Sequence, residues 1–149
     1  MTVQQDTEAL TEDGVRTFVQ QWFSALDRHA PEQDVLSFLV AEDPTVVLPE
    51  GTLRTVAEFR GWYHTVTHRF FDETHTLGSM DVRLVSPDEA AVSLVVNWQA
   101  NIWDPPAAKS VWLGFDATQD WTVVLRAGQA RISVYDVKAL VPMPGSASL

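Results

Sequence analysis

Three of the four histidines in the chain fall within twelve residues, in the stretch "WYHTVTHRFFDETH" from Trp62 to His75. Imidazole titrates near neutrality and binds metals, so such a cluster could hold an ion, move protons, or simply sit in solvent. His64 and His68 stand at i and i+4, a spacing that can bring two imidazoles onto one metal. Helical geometry argues against that use. Val56, Phe59, Tyr63, Val66 and Phe70 define a buried stripe, and the two histidines lie roughly 110–150° around from it, beside Arg60 and Gly61. With no third ligand near them they read as solvated side chains, and no metal is expected. His75 differs, because it opens a strand. There an imidazole can act as general base or acid beside an apolar ligand, or form a hydrogen bond at the rim of a sheet.

A partner for His75 is sought among carboxylates on apolar faces. Asp136, in "VYDV", shares strand parity with Ile132, Val134 and Leu140. An inward carboxylate is costly unless paired, so Asp136 is a candidate acid opposite His75. The other reading of this strand turns Tyr135 and Val137 inward instead. Asp72 and Glu73 most simply begin a loop, although either could orient the His75 ring. Three further side chains are candidates to touch a ligand: Trp62 beside the helical stripe, Trp98 and Gln119 on apolar strand faces. Gln119 could hydrogen-bond and the tryptophans could stack, or all could be core. The chain carries no G-x-S-x-G, P-loop or dinucleotide fingerprint, and no cysteine. Chemistry here would be cofactor-independent proton transfer on a bound, mainly apolar molecule.

These side chains must be positioned by elements that the hydrophobic pattern marks out. Thr11 followed by Glu12 and Asp13 starts a helix, and Val15, Phe18, Val19, Trp22, Phe23 and Leu26 continue it as one apolar stripe. The pattern predicts this helix over 12–28, a second over 31–41 opened by Pro31, and a third over 56–70 opened by the capping box Thr55-x-x-Glu58. A short strand, "TVVLP", lies between the last two. From there the period changes to two. His75 to Val85 forms one strand. Along Ala90–Ile102 the even positions are apolar, along Val111–Leu125 the odd ones are, and "ARISVYDVKAL" closes the chain's ordered part. Helices first and then four long strands joined by hairpins predict an α+β domain with an antiparallel sheet.

The 149 residues are enough for one domain with a core about 11–140, leaving 1–10 and 142–149 as loose tails. A formal charge of −10 argues against nucleic acid and anionic membrane as partners. No apolar h-region or membrane-length run is visible, so a cytoplasmic protein is expected. Asn97, Gln99, Asn101 and Trp103 alternate on the outward face of their strand, with Trp112 on the next. That face suits a homodimer interface.

Four stretches carry a family likeness: "VRTFVQQWFSALD", "TLRTVAEFRGWY", "ETHTLGSMDVRLVSPDEAAVSLVVNW" and "VVLRAGQARISVYDVKAL". Together they resemble the SnoaL-like branch of the nuclear-transport-factor-2-like superfamily. The resemblance implies a cone-shaped α+β fold, with three N-terminal helices packed on a curved antiparallel sheet and a pocket between them. It also implies that His75 lines the pocket. Activities in that superfamily include polyketide cyclisation, dehydration and ketosteroid isomerisation, so two readings stay open. One is a lyase, isomerase or cyclase with His75 and Asp136 as catalytic groups. The other is a non-catalytic ligand-binding or dimerising domain of the same fold.

Overall fold

Thr11 caps the first helix by accepting a 3.0 Å hydrogen bond from the Gly14 backbone N–H, which satisfies one of the unpaired donors at a helix start. The computed structural model describes residues 7–149. Helix α1 (Glu12–Asp27) buries Val15, Phe18, Val19, Trp22, Phe23, Ala25 and Leu26. Helix α3 (Val56–Arg69) begins in the same way: Thr55 accepts from Glu58 N–H, and the Glu58 carboxylate reaches back to the Arg54 N–H.

Helix α2 (Glu32–Leu36) is shorter than the hydrophobic pattern predicts. Beyond Leu36 the backbone leaves the helix to pair with the sheet. Ile132 N–H donates to Phe38 O at 2.7 Å, and Val40 N–H donates to Ile132 O at 3.0 Å. Two sheet-type bonds for a stretch rich in aromatic and β-branched residues prevail over continued helix.

Strands β1 (Thr45–Leu48), β2 (Gly51–Leu53), β3 (Phe71–Ser86), β4 (Glu89–Ile102), β5 (Val111–Arg126) and β6 (Gln129–Pro142) form one sheet in the order β2-β1-β6-β5-β4-β3. The expected sheet was wholly antiparallel with one short strand. In the structure a second short strand, β2, pairs with β1, and β1 runs parallel to β6. The helices cover one face. Trp22 sits at the centre of that layer, with the rings of Phe38, Phe59, Trp121 and Tyr135 at 5.5–6.2 Å.

The sheet is curved, and bulges mark where regular pairing breaks. Along β6, Ile132 faces Val123 but Val134 faces Thr122, so Ser133 is an extra residue. Val137 faces Gln119 while Ala139 faces Thr118, so Lys138 is another. Each extra residue flips the side-chain alternation that follows it.

The segments expected to be loose are tied down where they are described. Thr7 N–H donates to Gly128 O, and Leu10 is buried with its N–H on Pro87 O; residues 1–6 lie outside the described residues. At the other end Met143 N–H donates to Gly114 O, Gly114 N–H to Ser146 Oγ, and Ala147 N–H to Trp112 O. Among the described residues no helix is long and apolar enough to cross a membrane.

Candidate active site

Between α3 and the concave side of the sheet lies a cavity of about 590 Å³. Its wall includes Trp62, Tyr63, Glu73, His75, Trp98, Gln119 and Tyr135, with Leu26, Val66, Phe70, Leu113 and Leu140 supplying apolar surface. Ser148 and Leu149 of the docked C-terminal segment close part of it.

His75 is held by Asp27, the last residue of α1. One carboxylate oxygen, Oδ1, is 2.6 Å from His75 Nδ1, and the other, Oδ2, accepts the His75 backbone N–H at 2.9 Å. The ring stacks on Phe23, with centroids 5.0 Å apart and 24° between planes. A carboxylate can only accept, so Nδ1 carries the proton and Nε2 is left with its lone pair in the neutral ring. This is the tautomer a general base needs: one nitrogen fixed by a carboxylate, the other free to take a proton.

A second imidazole–carboxylate pair lies beside the first. His29 Nε2 is 2.7 Å from Glu73 Oε1, and Trp98 Nε1–H donates to Glu73 Oε2 at 2.9 Å. The two pairs cross: Asp27 and His29 come from the end of α1, Glu73 and His75 from the start of β3. Local backbone shapes this arrangement. His29 and Asp72 both adopt left-handed conformations, with φ of 48° and 52°. His and Asp tolerate that region better than most residues, and such positions cluster at functional sites.

Two tyrosines face the same space. The Tyr63 hydroxyl donates to Ala30 O at 2.6 Å. Its pKa is raised by burial first and by the nearby Glu73 charge second. Burial pushes the Tyr135 phenol up to about 12, against smaller opposing effects from Trp22 and Gln119. Both remain hydroxyl donors at ordinary pH.

Trp62, His75, Trp98 and Gln119 all line the cavity, but Asp136 does not. Asp136 is turned to the other face of β6, where its carboxylate pairs with Lys138 Nζ at 2.7 Å. The alternation inferred from Ile132 breaks at the Ser133 bulge, so Tyr135 and Val137 take the inward positions. The ring of His75 is oriented by neither Asp72 nor Glu73 but by Asp27, which pattern reading did not single out. One signal was available. An acid at the last position of a helix opposes the helix dipole, and such a local mismatch is expected at functional positions.

His64 and His68 lie exposed on α3 with ring centroids 4.1 Å apart, and His68 Nδ1 is 2.7 Å from the His64 carbonyl oxygen. Among the described residues no group of three or more histidine or acidic side chains is placed to hold a metal ion.

The SnoaL-like domain family matches residues 7–136. The protein belongs to that family. This SnoaL-like domain is similar in structure to hexachlorocyclohexane dehydrochlorinase LinA-type3 from Novosphingobium barchaimii LL02, at 15% identity and a TM-score of 0.70 over 91% of each chain. It is also similar to a candidate scytalone dehydratase from Novosphingobium aromaticivorans DSM 12444, at 17% identity and a TM-score of 0.68, covering 89% of this chain and 93% of that one. A protein of unknown function with a cystatin-like fold from Nostoc punctiforme PCC 73102 matches at 13% identity and a TM-score of 0.66, covering 95% and 99%. At these identities the likeness shows the fold alone. No curated protein matches the chain.

Proposed function

We propose that this SnoaL-like domain binds a mainly apolar small molecule in its cavity and moves a proton on it, in a cofactor-independent lyase or isomerase reaction. His75 is the general base, and Asp27 positions it. The observation that carries this reading is the two-point hold of Asp27 on His75, which engages Nδ1 and the backbone N–H of a residue that lines the mainly apolar cavity. An apolar cavity with a few convergent polar groups is the usual form of a small-molecule site, and about 590 Å³ lies within the usual range. Two structural neighbours lend support: a dehydrochlorinase and a candidate dehydratase, whose names denote loss of HCl and of water. Each of those eliminations requires a proton to leave carbon.

The test is a panel of aromatic polyketide, terpenoid and steroid-like compounds, followed for binding and for turnover. Turnover that vanishes in His75→Ala, with binding retained, supports the reading. Binding without turnover in the native protein would instead favour a non-catalytic ligand-binding domain of the same fold.

A further inference from the structure

Among the described residues, and apart from the titratable ring of His75, three side chains on the cavity wall carry full charges: Glu50, Arg69 and Glu73. Two of them stand in solvent. Glu50 is exposed, and Arg69 is exposed and paired with Asp104 at 2.6 Å. Glu73 is different, because its side chain is only 9% exposed. A carboxylate so deep in a mainly apolar enclosure is costly unless its oxygens are satisfied. Glu73 has a partner on each: His29 Nε2 lies 2.7 Å from Oε1, and the Trp98 indole N–H donates to Oε2 at 2.9 Å.

The same two bonds fix the charge in place. A free glutamate could swing away from an arriving ligand, whereas one tied both to the end of α1 and to β4 cannot. While His29 is neutral, the pair keeps one full negative charge, and the carboxylate is the half of it that lines the cavity. Another lining group registers that charge: the Tyr63 pKa is raised by burial first and by Glu73 next. The donors around Glu73 are already committed. Trp98 and His29 bond to Glu73 itself, and the Tyr63 hydroxyl donates to Ala30 O. The one lining cation, Arg69, is held by Asp104. An anionic head group entering here would meet a charge of its own sign and no free cation among the described lining residues. Sites discriminate by such opposing charges as well as by favourable contacts.

We propose that Glu73, fixed by His29 and Trp98, is a charge filter that restricts the cavity to apolar molecules without an anionic group and turns carboxylates away. This rests on the reading of the cavity as a small-molecule site. It adds what that reading leaves open, the charge of the ligand, and it assigns the second imidazole–carboxylate pair a role separate from that of Asp27 and His75.

The experiment uses two probes with one ring system, 2-naphthalenemethanol and 2-naphthoate, which differ in the charge of the head group. Their affinities are measured by calorimetry at about pH 8.5, above the range in which imidazole ordinarily takes up a second proton. The native protein should prefer the alcohol. Glu73→Gln keeps the side-chain shape, and its amide can still accept from Trp98 and donate to a His29 lone pair. In that variant the preference should shrink by about 10-fold or more, the order expected of one nearby like charge at the effective dielectric of a protein site. Glu89→Gln removes the same unit of charge from an exposed residue outside the cavity wall and should leave the preference as it is. Equal affinities in the native protein, an intact preference in Glu73→Gln, or the same shrinkage in both variants would overturn the filter and leave the cavity reading standing. Failure of both probes to bind any of the three proteins would overturn the two together. Should Glu73→Gln not fold, naphthoate binding to the native protein is followed in buffers of different ionisation enthalpy. Like charges brought together raise proton affinity, so a proton taken up with the anion supports the filter, and binding without one overturns it.

Discussion

Asp27 grips His75 through both carboxylate oxygens, one on the ring and one on the backbone N–H, across 48 positions of sequence. The ring bond sets the tautomer, and the backbone bond ties the first part of β3 to the end of α1. Removing the base and removing its positioner should therefore both slow turnover.

His75→Ala should lower turnover of any substrate by about 10²–10⁴-fold, the usual worth of a general base, with binding little changed. Asp27→Asn can present its NH₂ to Nδ1 and favour the wrong tautomer, so turnover should fall by on the order of 10²-fold or more at unchanged KM. His64→Ala should alter neither. Steady-state kinetics of the three variants decides, and equal losses in His64→Ala and His75→Ala would sink the assignment.

Stability at alkaline pH should depend on Tyr135. Its phenol is raised from 10.0 to about 12 in the fold, so the folded and unfolded chains bind the same proton below pH 10. Above that the unfolded chain loses its proton first, and stability is lost as pH rises from 10 towards 12. The full effect is about 2–3 kcal/mol. Tyr63 shifts in the same direction and adds to it. Urea midpoints at pH 9 and 11.5 should drop less in Tyr135→Phe than in the native protein; identical drops would contradict the burial argument.

Gly114 should not tolerate a side chain. A Cβ there would stand 2.4 Å from a Trp112 ring carbon and 2.8 Å from Met143 Sδ, so the ring and the C-terminal segment must both shift. Gly114→Ala should cost about 1–3 kcal/mol and loosen residues 143–149. Limited proteolysis should then cut the tail faster than in the native protein. Since Leu149 forms part of the cavity wall, ligand should also dissociate faster.

We propose that two copies pair through the outer sheet face. Trp103 is half exposed there, although Trp112 is partly covered and its N–H donates to Gln99. Asn97 and Gln99 are bonded to one another and, through Asn97, to Asp116, which forms a preordered polar surface. Sedimentation at tens of micromolar should give twice 16.6 kDa, and a monomer would reject the pairing.

The parts of this molecule that obey a simple period were legible from sequence. Alternation in β4 and β5 placed Trp98 and Gln119 on the concave face because no bulge interrupts the pairing of those two strands. It failed in β6, where neither Ser133 nor Lys138 has a glycine or proline beside it to signal an extra residue. The reach of Asp27 to His75 was also hidden, since it depends on how the end of α1 docks against β3 and on no local rule beyond the dipole mismatch.

The bulge at Ser133 has a chemical consequence, because it sets the charge of the cavity floor. Were that extra residue absorbed into regular pairing, Val134 and Asp136 would swing inward and Tyr135 outward. A neutral phenol on the cavity wall would give way to a carboxylate, adding a negative charge to the lining. Register, with no change of any side chain, decides whether β6 turns a phenol or a carboxylate toward the cavity.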